Sequence, residues 1–347
     1  METAVKERYA SAAGKPEAAL CCPVDYDPQY LQAIPSEVIE KDYGCGDPSK
    51  HLKPGETVLD LGSGTGKICF IAAQVVGAQG RVIGVDMTDS MLEVARRNAP
   101  IVADRIGFAN VEFRKGRIQD LARDLERAER PLVADSSIDV VVSNCVLNLV
   151  ESHAKKQLFT EIFRVLRDGG RAVISDIVSD EAVPAALQAN EELWSGCISG
   201  AFTEHGFLQA FLEAGFNGIE ILSYDLTPWR TVEGIEFHSI TVRAFKRGPG
   251  PSLERNQAVI YKGPFAEIVD DSGNRMERGR RYAVSDRLFA LYQRAPYARD
   301  FIFLAPRVEV PAAAAAPFSC DRADLRDPRE TKGEAYRATT TGGSCCG

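Results

Sequence analysis

The chain has 347 residues, of which 45% are hydrophobic and 26% are charged, a composition typical of a folded globular protein and not of a disordered one. Forty-nine acidic and forty-one basic side chains give a net charge of −8, which disfavours binding to nucleic acid or to an anionic membrane surface. The first residues contain no apolar export signal, and no uncharged stretch reaches the roughly 18 residues of a membrane-spanning helix. We therefore expect a cytoplasmic protein.

The N-terminal part, residues 1–49, shows little periodicity apart from a short helix predicted at Ser36–Lys41, and we interpret it as an arm that lies over a core. From Glu56 onward, short β-branched runs alternate with amphipathic helical segments. This alternation indicates right-handed β-α-β crossovers. It predicts an α/β domain over residues 50–247, with helices on both faces of a doubly wound, mostly parallel seven-stranded sheet.

The predicted strands are ETVLDL, RVIGVD, VEFRKG, IDVVVSN, RAVISD, GIEILSY and FHSITVRAFK. The predicted helices are KICFIAAQVVGA, DSMLEVARRNA, HAKKQLFTEIFRVL and EHGFLQAFLEAG.

The C-terminal part has a different pattern. Residues 252–310 predict a small, mainly β module, with short strands joined by a Ser-Gly-Asn turn. Residues 311–347 form a polar tail that is predicted to be disordered and that ends in the pair Cys345 and Cys346. This thiol pair either captures a ligand or reduces a disulfide of the enzyme, or it has no function.

A glycine-rich loop, Asp60 to Gly66, joins the predicted first strand to a helix, which is where an open α/β sheet binds its ligand. A dinucleotide fingerprint requires glycine where Lys67 stands, so a pyrophosphate ligand is disfavoured. The second strand ends at Asp86, where a carboxylate can accept both hydroxyls of a ribose. Met87 is a candidate contact for an adenine ring. These features predict an adenosine-containing ligand without a pyrophosphate.

The sequences DLGSGTG and GVDMTDSML resemble the class I S-adenosylmethionine-dependent methyltransferases over about residues 50–246. The resemblance implies a Rossmann-like fold with an antiparallel last strand and S-adenosylmethionine as methyl donor. By position, Asp86 holds the ribose, Met87 and Ile118 flank the adenine, and Gln119 stands where many members have an acidic residue. The residues implied to contact the cofactor are Tyr43, Asp60, Gly62, Ser63, Gly64, Gly66, Asp86, Met87, Ile118, Gln119 and Asn144.

The nine cysteines have irregular spacings, which in a cytosolic protein favours reactive or buried thiols over structural disulfides. Three of them come from distant segments that the predicted fold brings to one crevice: Cys45 on the arm, Cys145 after the fourth strand and Cys197 after the fifth. Thiolates are soft ligands that select thiophilic centres. Taken singly, each of these three cysteines is also compatible with a role as a small buried apolar residue. We assign that role to a fourth cysteine, Cys69, which lies among apolar residues of the predicted helix after the glycine loop. We expect no structural metal, because no pair of ligands has the spacing of a zinc site.

The segments CCPVDYD, DYGCGDP, SNCVLNL and ELWSGCISGA resemble the arsenite methyltransferases, and the match extends over about residues 20–305. The resemblance implies that Cys45, Cys145 and Cys197 bind trivalent arsenic. It also implies that Cys21 or Cys22 forms a disulfide with Cys45 during turnover, and that thioredoxin or glutathione is the reductant. The implied function is methylation of arsenite and methylarsenite in arsenic detoxification.

Two alternatives remain open at this stage. The first is a small-molecule C- or O-methyltransferase of the quinone-biosynthesis kind, in which the cysteines are buried and idle. The second is a thiol-based metalloid-binding protein without catalysis, for which the predicted donor loop has no evident use.

Overall fold

The computed structural model describes residues 1–14, 17, 24–41, 43–126, 131–247, 252–319 and 325–339. The chain divides into two compact units, Met1–Gly248 and Pro249–Gly347. Among the described residues, no helix combines the length and apolar character needed to cross a membrane. The cysteines outside the described ranges are Cys21, Cys22, Cys320, Cys345 and Cys346.

The first unit is built on one central sheet. Its strands are β1 (Thr57–Leu61), β2 (Arg81–Asp86), β3 (Val111–Lys115), β4 (Ile138–Asn144), β5 (Leu166–Ser179), β6 (Phe202–Thr203), β7 (Phe216–Tyr224), β8 (Arg230–Val232) and β9 (Ile235–Lys246).

The sheet has the order β3-β2-β1-β4-β5-β9-β7, with the short strand β6 beside β5 and β8 beside β9. The first five strands pair in parallel, whereas β9 is antiparallel to both β5 and β7. The predicted doubly wound sheet and its antiparallel last strand are therefore confirmed. The two short strands are additions to the seven that the sequence predicts.

Helices cover both faces of this sheet. They are α1 (Glu2–Gly14), α2 (Pro28–Leu31), α3 (Ser36–Glu40), α4 (Lys67–Val76), α5 (Asp89–Ile106), α6 (Lys155–Val165), α7 (Ala185–Gln188), α8 (Glu191–Ser195) and α9 (Glu204–Glu213). Successive residues of a strand point to opposite faces. Val58 of β1 accordingly packs in the cluster with α4 and α5, and Leu59 packs in the cluster with α6 and α9.

The arm begins with α1, a helix that the sequence does not predict. Its buried residues are Val5, Ala12 and Ala13, which are small and too widely spaced to form a continuous apolar stripe. The short helix predicted at Ser36–Lys41 is present as α3.

Within its described residues, the second unit contains two small antiparallel sheets and two α-helices. Its strands are β10 (Ala258–Tyr261), β11 (Glu267–Val269), β12 (Arg275–Glu277), β13 (Arg281–Ala283) and β14 (Phe301–Leu304), and its helices are α10 (Asp286–Tyr292) and α11 (Pro328–Lys332). The three-stranded sheet has the order β13-β10-β14, and β11 pairs with β12 across the predicted Ser-Gly-Asn turn. The region is mainly β, as predicted, although α10 is not predicted.

The prediction of disorder from residue 311 is wrong for the described part of this stretch. Pro317 pairs with Leu253 in a β-bridge, and α11 follows Asp327 as its N-cap. Arg326 has a fully buried side chain that donates to the carbonyl oxygen of Gln257 at 3.1 Å and forms ion pairs with Glu254 and Glu330. Disorder is predicted because the composition of this segment offers little apolar area to bury. The segment is instead held by polar contacts, through the buried and fully paired side chain of Arg326.

Candidate functional site

A cleft opens at the carboxyl ends of β1, β2 and β4, where an open α/β sheet is expected to bind its ligand. It encloses about 1180 Å³ of atom-free space including its mouth, which is room for a nucleoside-sized ligand. The predicted cofactor residues that line it are Tyr43, Asp60, Gly62, Ser63, Gly64, Asp86, Met87, Ile118, Gln119 and Asn144.

Gly66 has a different place from the other predicted cofactor residues. It is the N-cap of α4, with a left-handed φ of 94°. A Cβ atom on Gly66 would lie 2.7 Å from the ring of Phe113, so the glycine allows the helix to start against that ring. The structure thus gives Gly66 a packing role beneath the loop.

Asp86 and the glycine loop are joined by hydrogen bonds. The backbone N–H of Gly64 donates to Oδ2 of Asp86 at 2.9 Å, and that of Thr88 donates to Oδ1 at 2.8 Å. Burial raises the pKa of Asp86, and these N–H donors oppose the rise. A fixed carboxylate beside a tight glycine turn, with the apolar side chains of Met87 and Ile118 along the wall, fits S-adenosylmethionine.

The three predicted thiols lie together beside this cleft. Cys45, Cys145 and Cys197 are 6%, 4% and 3% exposed and belong to one packed cluster. The thiol of Cys145 contacts the thiols of both other residues, and Sγ of Cys197 donates to the carbonyl oxygen of Cys145 at 2.9 Å. Cys145 also lines the cleft, so it belongs to both the thiol cluster and the cofactor site.

Within the described ranges, no group of three or more His, Cys, Asp or Glu side chains has the arrangement of a metal-ion site. The described part of the thiol cluster therefore does not have the geometry of a preformed metal site.

Two of the three cysteines have a backbone conformation that is uncommon for a residue with a side chain. Cys145 has a φ of 63° and Cys197 a φ of 61°, both in the left-handed region. Backbone hydrogen bonds stabilise this strained geometry, from Cys145 N to Ser175 O at 2.8 Å and from Cys197 N to Trp194 O at 3.1 Å. Such strain concentrates at functional sites, which favours a function for these thiols over a purely apolar role.

The environment keeps two of the thiols protonated. Contact with Cys145, together with burial, raises the pKa of Cys197 well above that of a free thiol. Contact with Cys197 opposes the rise for Cys145, but the contact with Cys45 and burial prevail and raise the pKa of Cys145 well above its usual value. The buried carboxylate of Asp176 adds to both effects.

Two residues near the thiols are not predicted by the sequence. Tyr9 of α1 lines the cleft, and its hydroxyl lies 4.0 Å from Sγ of Cys197. Asp176 accepts hydrogen bonds from Leu147 N and Asn148 Nδ2, each at 2.8 Å. An acidic residue near the end of a predicted strand is a signal that would have identified Asp176, whereas Tyr9 has no such signal because α1 is not predicted.

Cys69 lies in the core as predicted, with no exposed surface. Its thiol also donates a hydrogen bond to Oδ2 of Asp60 at 3.2 Å.

Comparison with known proteins gives matches to both units. A family profile described as a methyltransferase domain matches residues 52–215, and one described as a domain of unknown function matches residues 248–336. The chain is 37% identical over 304 residues to the arsenite methyltransferase of Aquipseudomonas alcaligenes, which covers 83% of this chain and 85% of that protein. It is 30% identical over 338 residues to the arsenite methyltransferase of Mus musculus, covering 93% of this chain and 88% of that protein. The crystal structure of the arsenic(III) S-adenosylmethionine methyltransferase from Chlamydomonas reinhardtii matches with a TM-score of 0.61 and 30% identity, over 86% of this chain and 100% of that chain.

Proposed function

Since the chain belongs to the arsenite methyltransferase family and is an S-adenosylmethionine-dependent methyltransferase, we propose that it methylates trivalent arsenic, with arsenite and methylarsenite as substrates. The observation that carries this proposal is the cluster of Cys45, Cys145 and Cys197 directly beside the cofactor cleft. Arsenic detoxification follows as the physiological purpose.

We infer that the three thiols bind the arsenic atom. Each As–S bond forms as a thiol displaces a hydroxide of arsenite, and the thiol proton leaves with that hydroxide as water. Protonated thiols therefore need no separate general base, which agrees with the raised pKa values of Cys145 and Cys197.

Methyl transfer requires the nucleophile to face the donor at near-attack distance. S-adenosylmethionine supplies an electrophilic methyl group bound to a sulfonium. Cys145 lies at the boundary of cluster and cleft, so it holds arsenic at the cleft wall, and the lone pair of trivalent arsenic is the nucleophile. Asp86 and the glycine loop fix the ribose side of the cofactor, which leaves the wall at Cys145 for the reacting end.

Transfer of the methyl group leaves arsenic formally pentavalent, so two electrons must return it to the trivalent state before another round. A pair of thiols supplies both electrons when it is oxidised to a disulfide. The family resemblance assigns this pair to Cys45 and either Cys21 or Cys22, and thioredoxin or glutathione then reduces the disulfide. The part played by Cys21 and Cys22 rests on sequence alone, because they lie outside the described residues.

The two alternatives differ from this proposal in measurable ways. A methyltransferase for organic acceptors would turn over such an acceptor and ignore arsenite. A non-catalytic thiol protein would bind arsenite without consuming the methyl donor. The strained backbones of Cys145 and Cys197 count against idle thiols, and the fitted donor cleft counts against a protein that only binds.

The test compares Cys45→Ser with Cys197→Ser in the presence of labelled S-adenosylmethionine and a thiol reductant. We expect Cys45→Ser to lose methylation of arsenite but to retain methylation of methylarsenite, which has one fewer position to be filled by sulfur. Cys197→Ser removes a thiol of the remaining pair and should lose both activities. Product speciation distinguishes these outcomes, and equal activity of Cys45→Ser on both substrates would contradict the division of roles.

A further inference from the structure

Asn144, which the resemblance assigns to cofactor binding, uses its side-chain amide elsewhere. Its Oδ1 accepts hydrogen bonds from Cys45 N at 2.9 Å and from Gly46 N at 3.1 Å. Its Nδ2 donates to Gly46 O at 2.7 Å and to the hydroxyl of Tyr26 at 3.1 Å. An amide has two acceptor positions and two donor hydrogens, so these four bonds use its whole capacity.

The loop that carries Cys45 is shaped to fit around this amide. A Cβ atom on Gly44 would lie 2.1 Å from Nδ2 of Asn144, and a Cβ atom on Gly46 would lie 2.6 Å from Oγ of Ser175. Only glycine on each side of Cys45 allows so close an approach. The hydroxyl of Ser239 donates to Cys45 O at 2.6 Å, so the cysteine backbone is held at both its N–H and its carbonyl.

Asn144 is also the residue before Cys145 in the chain. One short stretch of backbone therefore carries the thiol of Cys145 and the amide that holds Cys45. The loop of Cys197 is held by other groups, namely Trp194 O and the amide of Asn148, whose Nδ2 donates to Cys197 O at 3.4 Å. The hydrogen bonds that hold the backbones of Cys145 and Cys197 thus do not involve the Asn144 side chain.

We propose that Asn144 is a positioning residue for the thiol cluster, which sets Cys45 against Cys145, and that its amide is not a cofactor contact. The inference rests on the proposed function, in which Cys45 is needed for arsenite but not for methylarsenite. Asn144 then determines which arsenical is accepted, and its amide makes no hydrogen bond to the methyl donor.

The test uses two variants. Asn144→Ala removes all four hydrogen bonds. Asn144→Asp replaces the Nδ2 donor with a carboxylate oxygen, which then faces the carbonyl oxygen of Gly46 and cannot donate to it. We expect kcat/KM for arsenite to fall about 10- to 100-fold, the range seen when a group that orients a metal ligand is removed. We expect kcat/KM for methylarsenite and the affinity for S-adenosylhomocysteine, measured by calorimetry, to fall by a much smaller factor than kcat/KM for arsenite. In the ligand-free protein, alkylation of Cys45 should become faster relative to Cys197, as followed by peptide mass spectrometry.

Two further variants guard against a general loss of folding. Tyr26→Phe removes one partner of the amide and should cause a smaller change in the same direction. Asn110→Ala is a control, because the Nδ2 of Asn110 also donates two hydrogen bonds, to Ala73 O at 3.1 Å and Gly77 O at 2.9 Å, but Asn110 does not line the cleft. This control should lower stability without changing the ratio of arsenite to methylarsenite activity.

The outcomes separate the inference from the proposed function. If Asn144→Ala weakens S-adenosylhomocysteine binding and slows both arsenicals equally, Asn144 is a cofactor contact and the inference is overturned. If the wild-type enzyme itself does not methylate arsenite, the proposed function fails, while the alkylation of Cys45 still tests the positioning. An unchanged alkylation ratio in both Asn144 variants overturns the positioning role.

Discussion

Two glycines allow backbone strain and blockage of the cofactor cleft to be measured separately. Gly64 and Gly107 both have a left-handed φ, 52° and 88°, and at neither does an added Cβ atom meet another atom within 4 Å. Alanine in this conformation costs about 1–2 kcal/mol relative to glycine. Gly64→Ala and Gly107→Ala should therefore lose similar stability, equivalent to a fall in Tm of roughly 2–8 °C for a unit of this size.

The two variants should differ in cofactor binding. Gly64 lines the cleft, and its N–H donates to Asp86, whereas Gly107 is the C-cap of α5. A methyl group on Gly64 takes up space at the cleft wall and disturbs the carboxylate of Asp86, for which we propose a contact with the ribose. We expect the Kd of S-adenosylhomocysteine to rise about tenfold or more for Gly64→Ala, which is about 1.4 kcal/mol of binding free energy. Gly107→Ala should bind as the wild type does.

Calorimetric titration with S-adenosylhomocysteine and thermal unfolding without ligand provide both measurements. Gly62→Ala completes the series, since its Cβ atom would lie 2.4 Å from Cγ1 of Val146 and its loss of stability should exceed that of the other two. Wild-type affinity in Gly64→Ala would refute the inference that this part of the loop faces the cofactor. A large difference in Tm between Gly64→Ala and Gly107→Ala would refute the assignment of a similar backbone strain to alanine at both positions.

Three other changes have defined outcomes. Burial raises the pKa of Asp176 from 3.8 to about 6, so its ionisation lowers stability as pH rises through this window. Asp176→Asn lacks this titration and should be more destabilising at about pH 5 than at about pH 8, by about 1–2 kcal/mol in urea unfolding. The hydrogen bond from Arg114 lowers the pKa of Glu112 to about 2, so the stabilisation is present above its unfolded value of 4.5 and is lost as pH falls toward 2. Glu112→Gln should cost about 0.5 kcal/mol at neutral pH, because the pair is screened by solvent, and thermal unfolding should show no difference at the acid end. Truncation after Thr339 removes the C-terminal cysteine pair and keeps every described residue of the second unit. Turnover at limiting arsenite should be unchanged, and a loss would assign arsenic capture to that pair.

The cofactor half of the site could be predicted because its residues follow the ends of consecutive strands. Asp60 lies near the end of β1, just before the glycine loop, and Asp86 is the last residue of β2, so the topology alone brings them to one edge of the sheet. The alternation of strands and helices fixes that topology. The sequence therefore suffices for the sheet order and for the position of the cleft.

The part of the site around the three thiols depends on contacts between segments that are distant in the chain. Such contacts leave no local pattern in the sequence. The hydrogen bonds of Asn144 reach residues about one hundred positions earlier in the chain, and no periodicity marks such a pair. The contact of Tyr9 with Cys197 requires α1, whose apolar residues are too few to predict a helix. Motif resemblance identified the three thiols, but not the polar groups that hold them.

The backbone N–H of each of the three thiol residues donates a hydrogen bond that does not involve a sulfur atom. Cys45 N donates to the amide of Asn144, Cys145 N donates to a carbonyl of β5, and Cys197 N donates within its own turn. A sulfur atom can then exchange one partner for another while its Cα atom stays where it is. This separation suits a site in which the same thiols must bind arsenic and later release a methylated product. It also explains why a serine in place of a cysteine should remove one sulfur ligand without displacing the others, which is the condition under which the Cys45→Ser comparison is informative.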